Sequence, residues 1–187
     1  GMNPARRSCE RFDPSPGRWE PGPPLLEARA WPAAAALAGR LHLCGGFVER
    51  CGRESLRSVE RLEGGAWRPA PPMLEPRFRA AACVAGGRLH CLGGEGETGY
   101  ERSVETLEAG SQAWQRAEPM AERRFGATVA AMAGRLYVGG GFVAAAARGP
   151  LLPATGLECW EEAAGWGPGP QQGARRLGEA RVAAPLL

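Results

Sequence analysis

Short runs of small apolar residues alternate with glycine turns and polar loops along most of the sequence. The first run of each unit is rich in alanine and ends at a two-residue turn with glycine in second place. A second apolar run starts after that turn and ends at a Gly-Gly doublet. The paired runs are Ala33–Leu37 with Leu41–Cys44, Ala80–Val84 with Leu89–Leu92, and Ala127–Met132 with Leu136–Val138. Because runs of this length bounded by glycine favour buried strands, each pair predicts two strands sandwiched between neighbouring sheets.

Two further strands complete each unit after a polar loop of variable length. A glutamate marks the third strand, in the segments Ser58-Val59-Glu60, Ser103-Val104-Glu105, Gly156-Leu157-Glu158 and Ser8-Cys9-Glu10. A tryptophan then begins the fourth strand, which runs on to a Pro-Leu or Pro-Met pair in three of the units. Four short strands with the smallest residues on the first are typical of a propeller blade, whose innermost strand is crowded around the axis.

The tryptophans also define the length of the repeat. Each is followed ten positions later by an arginine: Trp19 by Arg29, Trp67 by Arg77, Trp114 by Arg124 and Trp166 by Arg176. The repeats are spaced 47 to 52 residues apart. A period of this length indicates a stacked supersecondary unit, and tryptophan supplies the apolar area that one unit needs to pack against the next. The sequence therefore predicts an all-β repeat protein.

The ordered set of arginine, alanine run, Gly-Arg-Leu, Gly-Gly, Ser-Val-Glu and tryptophan resembles the kelch repeat. The resemblance is closest to the kelch half of BTB-kelch proteins and extends from Ser8 to Leu187. Leu62 and Leu107 stand where that family has an aromatic residue, and Gln171-Gln172 replaces the Pro-Met pair of the last unit. The resemblance implies a kelch-type β-propeller with about three complete four-stranded blades and partial blades at both ends.

One kelch-repeat domain is expected to span residues 1–187. Its complete blades would cover residues 28–76, 77–123 and 124–175, with a partial blade at 8–26 and one inner strand at 177–187. Kelch propellers usually have six blades, so this chain has too few for a complete ring. Three outcomes remain open: an open half-ring with unpaired strand edges, a four-bladed ring closed by the last strand, and an assembly of chains that buries both exposed end faces. We favour a homodimer or larger assembly that completes the ring.

Composition and charge exclude several classes of function. The net charge is +3, and the 23 basic residues, all arginine, are spread along the chain without the basic stripe that nucleic-acid binding needs. No apolar stretch reaches the roughly 20 residues of a membrane span. The six cysteines show no metal-ligand spacing. We therefore expect a cytoplasmic protein with no metal, no cofactor, no membrane and no nucleic-acid partner.

Catalysis has little support in the sequence. His42 and His90 occupy the same strand position as Tyr137, so one structural position accounts for all three. The repeated glutamates recur at one blade position, which indicates scaffolding and not the paired carboxylates of a glycosidase. We predict no catalytic residue and no enzyme activity.

Candidate binding residues lie in two sets of loops, which by the resemblance open on one rim of the central channel. Loops from strand four to the next strand one carry Arg29, Arg77, Arg124 and Arg176, and loops between strands two and three carry Phe47, Arg50, Tyr100 and Phe142. In BTB-kelch adaptors, arginines at this motif position contact acidic segments of the partner. We expect this rim to bind an acidic or mixed peptide. Alternatively, the arginines hydrogen-bond neighbouring carbonyls and only brace adjacent blades.

The leading hypothesis is therefore a non-enzymatic protein-interaction module that resembles the substrate-recognition part of a cullin ubiquitin-ligase adaptor. The alternative is a structural or cytoskeletal, actin-associated kelch protein.

Overall fold

The computed structural model describes residues 5–49, 53–161 and 164–169, and these residues form strands, turns and loops without a helix. The first half of the chain contains β1 (Glu10–Asp13), β2 (Arg18–Pro21), β3 (Ala33–Leu37), β4 (Arg40–Cys44), β5 (Phe47–Glu49), β6 (Arg53–Ser55), β7 (Val59–Glu63) and β8 (Ala66–Ala70). Next come β9 (Ala81–Ala85), β10 (Arg88–Leu92), β11 (Val104–Glu108), β12 (Gln115–Ala117) and β13 (Arg123–Phe125). The last strands are β14 (Thr128–Met132), β15 (Arg135–Gly139), β16 (Phe142–Ala144), β17 (Leu152–Pro153), β18 (Glu158–Glu161) and β19 (Gly165–Pro168).

Three of the sheets are four-stranded and antiparallel, with their strands in the order that the sequence predicts. Sheet B has the order β3-β4-β7-β8, sheet C the order β9-β10-β11-β12 and sheet D the order β14-β15-β18-β19. Sheet A is the pair β1-β2. The innermost strand β9 contacts both β3 and β14, so that sheets B, C and D lie side by side at their inner edges. The predicted all-β fold is confirmed, and the arrangement is consistent with a β-propeller-like fold.

The hydrophobic core lies in the seams between successive sheets. In the seam of sheets B and C, Leu37 and Val59 pack with Leu89, Leu107 and Trp114. An equivalent cluster joins sheets C and D and consists of Cys83, Leu92, Val104, Met120, Leu136 and Val138. Each seam therefore buries apolar side chains from two sheets, and this burial is the main force that holds the sheets together.

The seam tryptophans also make a repeated polar contact. Trp67 donates its indole N–H to the Pro23 carbonyl at 3.1 Å, Trp114 donates to Pro71 at 2.8 Å, and Trp166 donates to Glu118 at 2.8 Å. In every case the acceptor lies in the segment that enters the tryptophan's own sheet. The indole thus fills the seam and fixes the entering chain at the same time.

Three cysteines inside the seams behave as small apolar residues, as their strand positions predict. Burial raises the pKa of Cys83 and of Cys91 to about 11, and it raises the pKa of Cys44 well above its ordinary value. These thiols therefore stay neutral.

Several sequence predictions fall outside the described residues: the inner strand at 177–187, the end of the last unit after residue 169, and the loop residue Arg50. Within the part of the chain that the structure describes, no helix is present that could cross a membrane.

The hairpin turns that join the two inner strands carry left-handed backbone at both turn residues. In sheet C these are Gly86 and Gly87, with φ of 56° and 73°. In sheets B and D the first turn residue is an alanine, Ala38 with φ of 50° and Ala133 with φ of 52°. A residue with a Cβ is strained in this conformation, whereas glycine is not.

Replacing each alanine by glycine should therefore stabilise the protein. We expect Ala38→Gly and Ala133→Gly each to raise the free energy of unfolding by about 0.5–1 kcal/mol, and Gly86→Ala to lower it by a similar amount. A Cβ at Gly86 would meet no atom within 4 Å, so the change reports on the backbone alone. Urea denaturation measures all three, and a destabilised Ala133→Gly variant would contradict the strain argument.

Two buried histidines should make stability depend on pH. Burial lowers the pKa of His42 and of His90 below the ordinary 6.5. It outweighs the hydrogen bonds to the Arg40 and Ala85 carbonyls, which raise the pKa, and the charges of nearby arginines add to the lowering. Because the unfolded chain binds protons at a higher pH than the folded chain, the stability present above pH 6.5 is lost as the pH falls through the lowered pKa values. When the pH is lowered from about 7.5 to 5.5, the melting temperature of the double variant H42Q/H90Q should fall by less than that of the wild type. Parallel pH profiles of the two proteins would contradict this origin.

Candidate functional site

Two kinds of loop lie side by side on one edge of the sheets. The crossovers that enter sheets B, C and D pair with the loops between the second and third strands through Ala30 with Phe47, Phe78 with Glu95, and Phe125 with Phe142. We call this surface the loop face. It contains the crossovers 27–32, 75–80 and 122–127 and the described parts of the loops 45–58, 93–103 and 140–157.

The arginine of each described crossover lies in the interior, where most of its N–H groups bind its own sheet. One buried nitrogen in each, Nε of Arg29 and Arg77 and Nη1 of Arg124, has no hydrogen-bond partner among the described residues. Arg77 donates to the Gly93 carbonyl at 2.9 Å, to the carbonyl of Ser103 at 3.2 Å and its hydroxyl at 3.1 Å, and to the Glu105 carboxylate at 2.6 Å. Arg29 repeats this set with Gly45, Ser58 and Glu60, the last at 2.7 Å. Burial works against the charge of Arg77, but the surrounding anionic groups, Glu105 among them, outweigh it and raise the pKa of Arg77.

Arg124 uses a different set of atoms because its sheet lacks the serine. Its Nε donates to Glu158 at 2.6 Å, and its Nη2 donates to Glu122 at 2.8 Å and to the Gly156 carbonyl at 3.3 Å. Gly156 stands where the other repeats have Ser58 and Ser103 and has no hydroxyl to accept a bond. The guanidinium turns accordingly, and its buried Nη1 has no hydrogen-bond partner among the described residues.

The carboxylate of each pair also holds the backbone of the crossover. Glu105 accepts the N–H groups of Leu74 at 2.6 Å and Glu75 at 3.1 Å. Glu60 does the same for residues 26 and 27, and Glu158 for Ala121. Each buried glutamate therefore neutralises the arginine and satisfies backbone donors that would otherwise be unpaired.

The Gly-Gly doublets connect Arg77 and Arg124 to the preceding sheet, whereas the Arg29 carbonyl accepts the N–H of Arg6 at 3.3 Å. Gly46 of sheet B donates its N–H to the Arg77 carbonyl at 2.9 Å, and Gly94 of sheet C donates to the Arg124 carbonyl at 2.8 Å. A Cβ at the preceding Gly45 would clash with the Arg77 carbonyl. The doublet is glycine because the backbone of the next crossover approaches too closely for a side chain.

These contacts change the interpretation of the predicted rim arginines. Arg29, Arg77 and Arg124 do not present their guanidinium groups to a partner, since these groups are enclosed and paired with glutamate. The placement favours the alternative explanation, in which the arginines brace the fold. Arg176 lies outside the described residues.

The predicted aromatic residues divide into buried and accessible ones. Phe47 is buried, not exposed as expected, because its ring packs 5.1 Å from the ring of Trp31 and 5.5 Å from that of Phe78. Tyr100 is half-buried, with its ring 5.5 Å from that of Phe125. Phe142 is 44% exposed. Two of the three described aromatic candidates therefore remain accessible on the loop face.

Sequence reasoning missed Arg79, which lies two residues after the buried Arg77. Its guanidinium carbon stacks 3.6 Å from the centroid of the Trp31 ring and 4.9 Å from that of Phe125. Arg79 is half-buried, and its side chain makes no ion pair or hydrogen bond with the residues that the structure describes. A cation is thus held by aromatic faces while its N–H groups stay available.

The backbone explains why two neighbouring arginines have opposite surroundings. Trp31, Arg79 and Gly126 occupy the same repeat position and have positive φ values of 48°, 50° and 65°. Arg79 donates its N–H to the Trp31 carbonyl at 3.0 Å and accepts the N–H of Gly126 at 2.9 Å. This left-handed residue turns the chain after the buried arginine. The sequence contained one hint of this site: the second residue after the repeated arginine changes from tryptophan to arginine to glycine, although the residues around it repeat.

Two clefts flank this cluster on the loop face. One of about 370 Å³ is lined by Arg102, Arg123, Val143 and Leu152 among others. Another of about 250 Å³ is lined by Glu95, Glu97, Tyr100 and Arg148 among others. Arg123 donates to the Tyr100 carbonyl at 2.9 Å and so joins the first cleft to the aromatic cluster. The loop face combines cations, carboxylates and apolar groups.

The loop between β15 and β18 packs against the loop 93–103 at the edge of the second cleft. Tyr100 donates its N–H to the Ala147 carbonyl at 2.7 Å, and Arg148 donates to the Glu97 carbonyl at 3.0 Å. A Cβ at Gly99 would clash with the Ala147 carbonyl, so glycine is required there. In the described part of the chain, no group of three or more His, Cys, Asp or Glu side chains could hold a metal ion.

No protein-family model matches the sequence, and no curated protein matches it. The chain is similar in structure to YjhT, with a TM-score of 0.70 and 15% sequence identity over 87% of this chain. It spans about half of YjhT, 52% of whose chain is covered. At this identity the similarity shows a shared fold and nothing about activity.

The two neighbouring arginines should respond differently to substitution. Arg77→Ala leaves Glu105 buried without its cation and should lower the free energy of unfolding by about 3–5 kcal/mol. Arg79→Gly introduces the residue that the next repeat has at this position, and glycine accepts a positive φ without strain. This variant should therefore lower the free energy of unfolding by less than about 1 kcal/mol. Urea denaturation of both variants tests this, and equal losses would contradict the assignment of one arginine to the fold and the other to the surface.

Proposed function

We propose that this chain is a non-enzymatic protein-interaction module of the kelch-type β-propeller class, with complete blades at residues 28–76, 77–123 and 124–175. Its loop face binds an acidic or mixed peptide segment of a partner protein. The observation that carries the proposal is Arg79, an accessible guanidinium that lies against the rings of Trp31 and Phe125 and forms no ion pair with the described residues.

The geometry of Arg79 suits a carboxylate ligand. The aromatic rings contact the guanidinium carbon, and the N–H donors of a guanidinium match the two oxygens of a carboxylate. Since the rings already hold the side chain, little rotamer freedom is lost when a ligand binds. A positioned arginine beside aromatic residues is a frequent composition of interface hot spots.

The surroundings of Arg79 favour a peptide with both acidic and apolar residues. Tyr100 packs on the Phe125 ring and Phe142 pairs with the Phe125 backbone, while the exposed Leu152 lines the larger cleft, so that the loop face offers apolar contacts as well as the cation. Arg102 and Arg123 add positive charge at the larger cleft, while Glu95 and Glu97 add negative charge at the smaller one. Such a surface attracts an acidic segment at one end and tolerates basic residues at the other.

The non-enzymatic part of the proposal is supported by the state of the repeated carboxylates. Glu60, Glu105 and Glu158 are each engaged with a guanidinium. His42 and His90 are buried in the second strands of their sheets. In a cytoplasmic BTB-kelch adaptor, a module of this kind would supply substrate recognition to a cullin ubiquitin ligase.

Binding can be tested with fluorescein-labelled peptides that place two or three acidic residues beside an aromatic one. The wild type should raise their fluorescence polarisation, and Arg79→Gly should weaken binding by about tenfold or more because it removes the central cation. Added salt should weaken wild-type binding, since the contact is ionic.

Arg68→Ala is the matched control, because Arg68 is an exposed arginine on the outer strand β8 and its loss changes net charge equally. This variant should bind as the wild type does. Equal affinities of wild type and Arg79→Gly for every peptide of the set would contradict the proposal.

A further inference from the structure

The two ends of the array of sheets expose large apolar side chains. On sheet A, Trp19 is 66% exposed, and Phe12 beside it is also exposed, with the two rings 5.5 Å apart. On sheet D, Met132 is 64% exposed, and Leu157 is exposed as well. We call these pairs the A-end face and the D-end face. Exposed apolar groups gathered at defined faces mark contact surfaces.

The internal seams show what surface the A-end face matches. Trp19 is the repeat counterpart of Trp114, and Phe12, two residues after the repeated glutamate, is the counterpart of Leu107. Leu107 and Trp114 are buried in the seam where sheet C receives sheet B. The A-end face therefore carries the same kinds of residue that sheet C uses to pack against the sheet before it.

The D-end face matches the opposite side of a seam. Met132 ends the first strand of its sheet as Ala85 does in sheet C, and Leu157 precedes the repeated glutamate as Val104 does. Ala85 and Val104 pack into the seam where sheet C meets sheet D. The two end faces of one chain thus carry the two complementary halves of one kind of seam.

We propose that the A-end face of one chain packs on the D-end face of a second copy and reproduces an internal seam between molecules. The occupant is a second copy because the chain itself presents both halves of the contact. The contact is head to tail, and two copies that meet at both ends close on themselves with two seams. The inference concerns the end faces and is independent of the ligand of the loop face.

Two variants, each changed at one end face, test the assembly. Trp19→Glu and Met132→Glu each place a charge in the seam, and Leu74→Glu is the control because Leu74 is exposed in the crossover between sheets B and C and lies on neither end face. In multi-angle light scattering, the wild type and Leu74→Glu should have the mass of two or more chains. Each end-face variant alone should have the mass of one chain with unchanged circular dichroism.

Mixing the two variants gives the decisive result. Trp19→Glu retains an intact D-end face and Met132→Glu an intact A-end face, so an equimolar mixture can form one seam and should contain a two-chain species. A wild type with the mass of one chain would overturn the proposal. So would end-face variants that keep the wild-type mass, or a mixture that stays single-chained.

Discussion

The buried pair of an arginine and a glutamate is the interaction on which the described structure depends. In each complete repeat, the glutamate of the third strand binds the arginine of the crossover that enters the same sheet, as Glu105 binds Arg77. The same carboxylate accepts backbone N–H groups, and the carbonyls of Arg77 and Arg124 accept an N–H from the Gly-Gly doublet of the preceding sheet. One ion pair therefore fixes the place where the chain passes between sheets. Its removal would leave an uncompensated charge in the interior, which is why both partners recur with the repeat.

This arrangement separates the residues of the fold from those of the surface. Apolar burial in the seams holds the sheets together, and the ion pairs determine where each crossover lies. Once the crossover is fixed, the left-handed residue that follows turns the chain toward the loop face. Arg79 takes this position in one repeat only, where Trp31 and Phe125 from the neighbouring repeats reach it. The surface cation thus depends on a departure from the repeat, while the buried arginines follow the repeat itself.

Much of the fold could be predicted from the sequence because it follows from local periodicity. The alanine runs, the glycine turns and the tryptophan spacing gave the strands of sheets B, C and D within a few residues, and β4 ends at Cys44 as expected. The candidate site was harder to predict, since the direction in which a side chain points depends on backbone angles that the spacing does not contain. Phe47 was expected on the surface but is buried in an aromatic cluster, and the sequence left open whether Arg77 binds a partner or braces the fold, which its buried ion pair favours. Arg79 carries no repeat signal, and its aromatic neighbours come from positions distant in the chain, which only the fold brings together.

A double-mutant cycle on one buried pair tests the central claim most directly. The free energy of unfolding would be measured by urea denaturation for the wild type, Arg77→Met, Glu105→Gln and the double variant. If the pair acts as a structural unit, the two losses are not additive, and the coupling free energy is above about 1 kcal/mol. Losses that add to within about 0.5 kcal/mol would contradict the claim that this ion pair secures the passage between sheets.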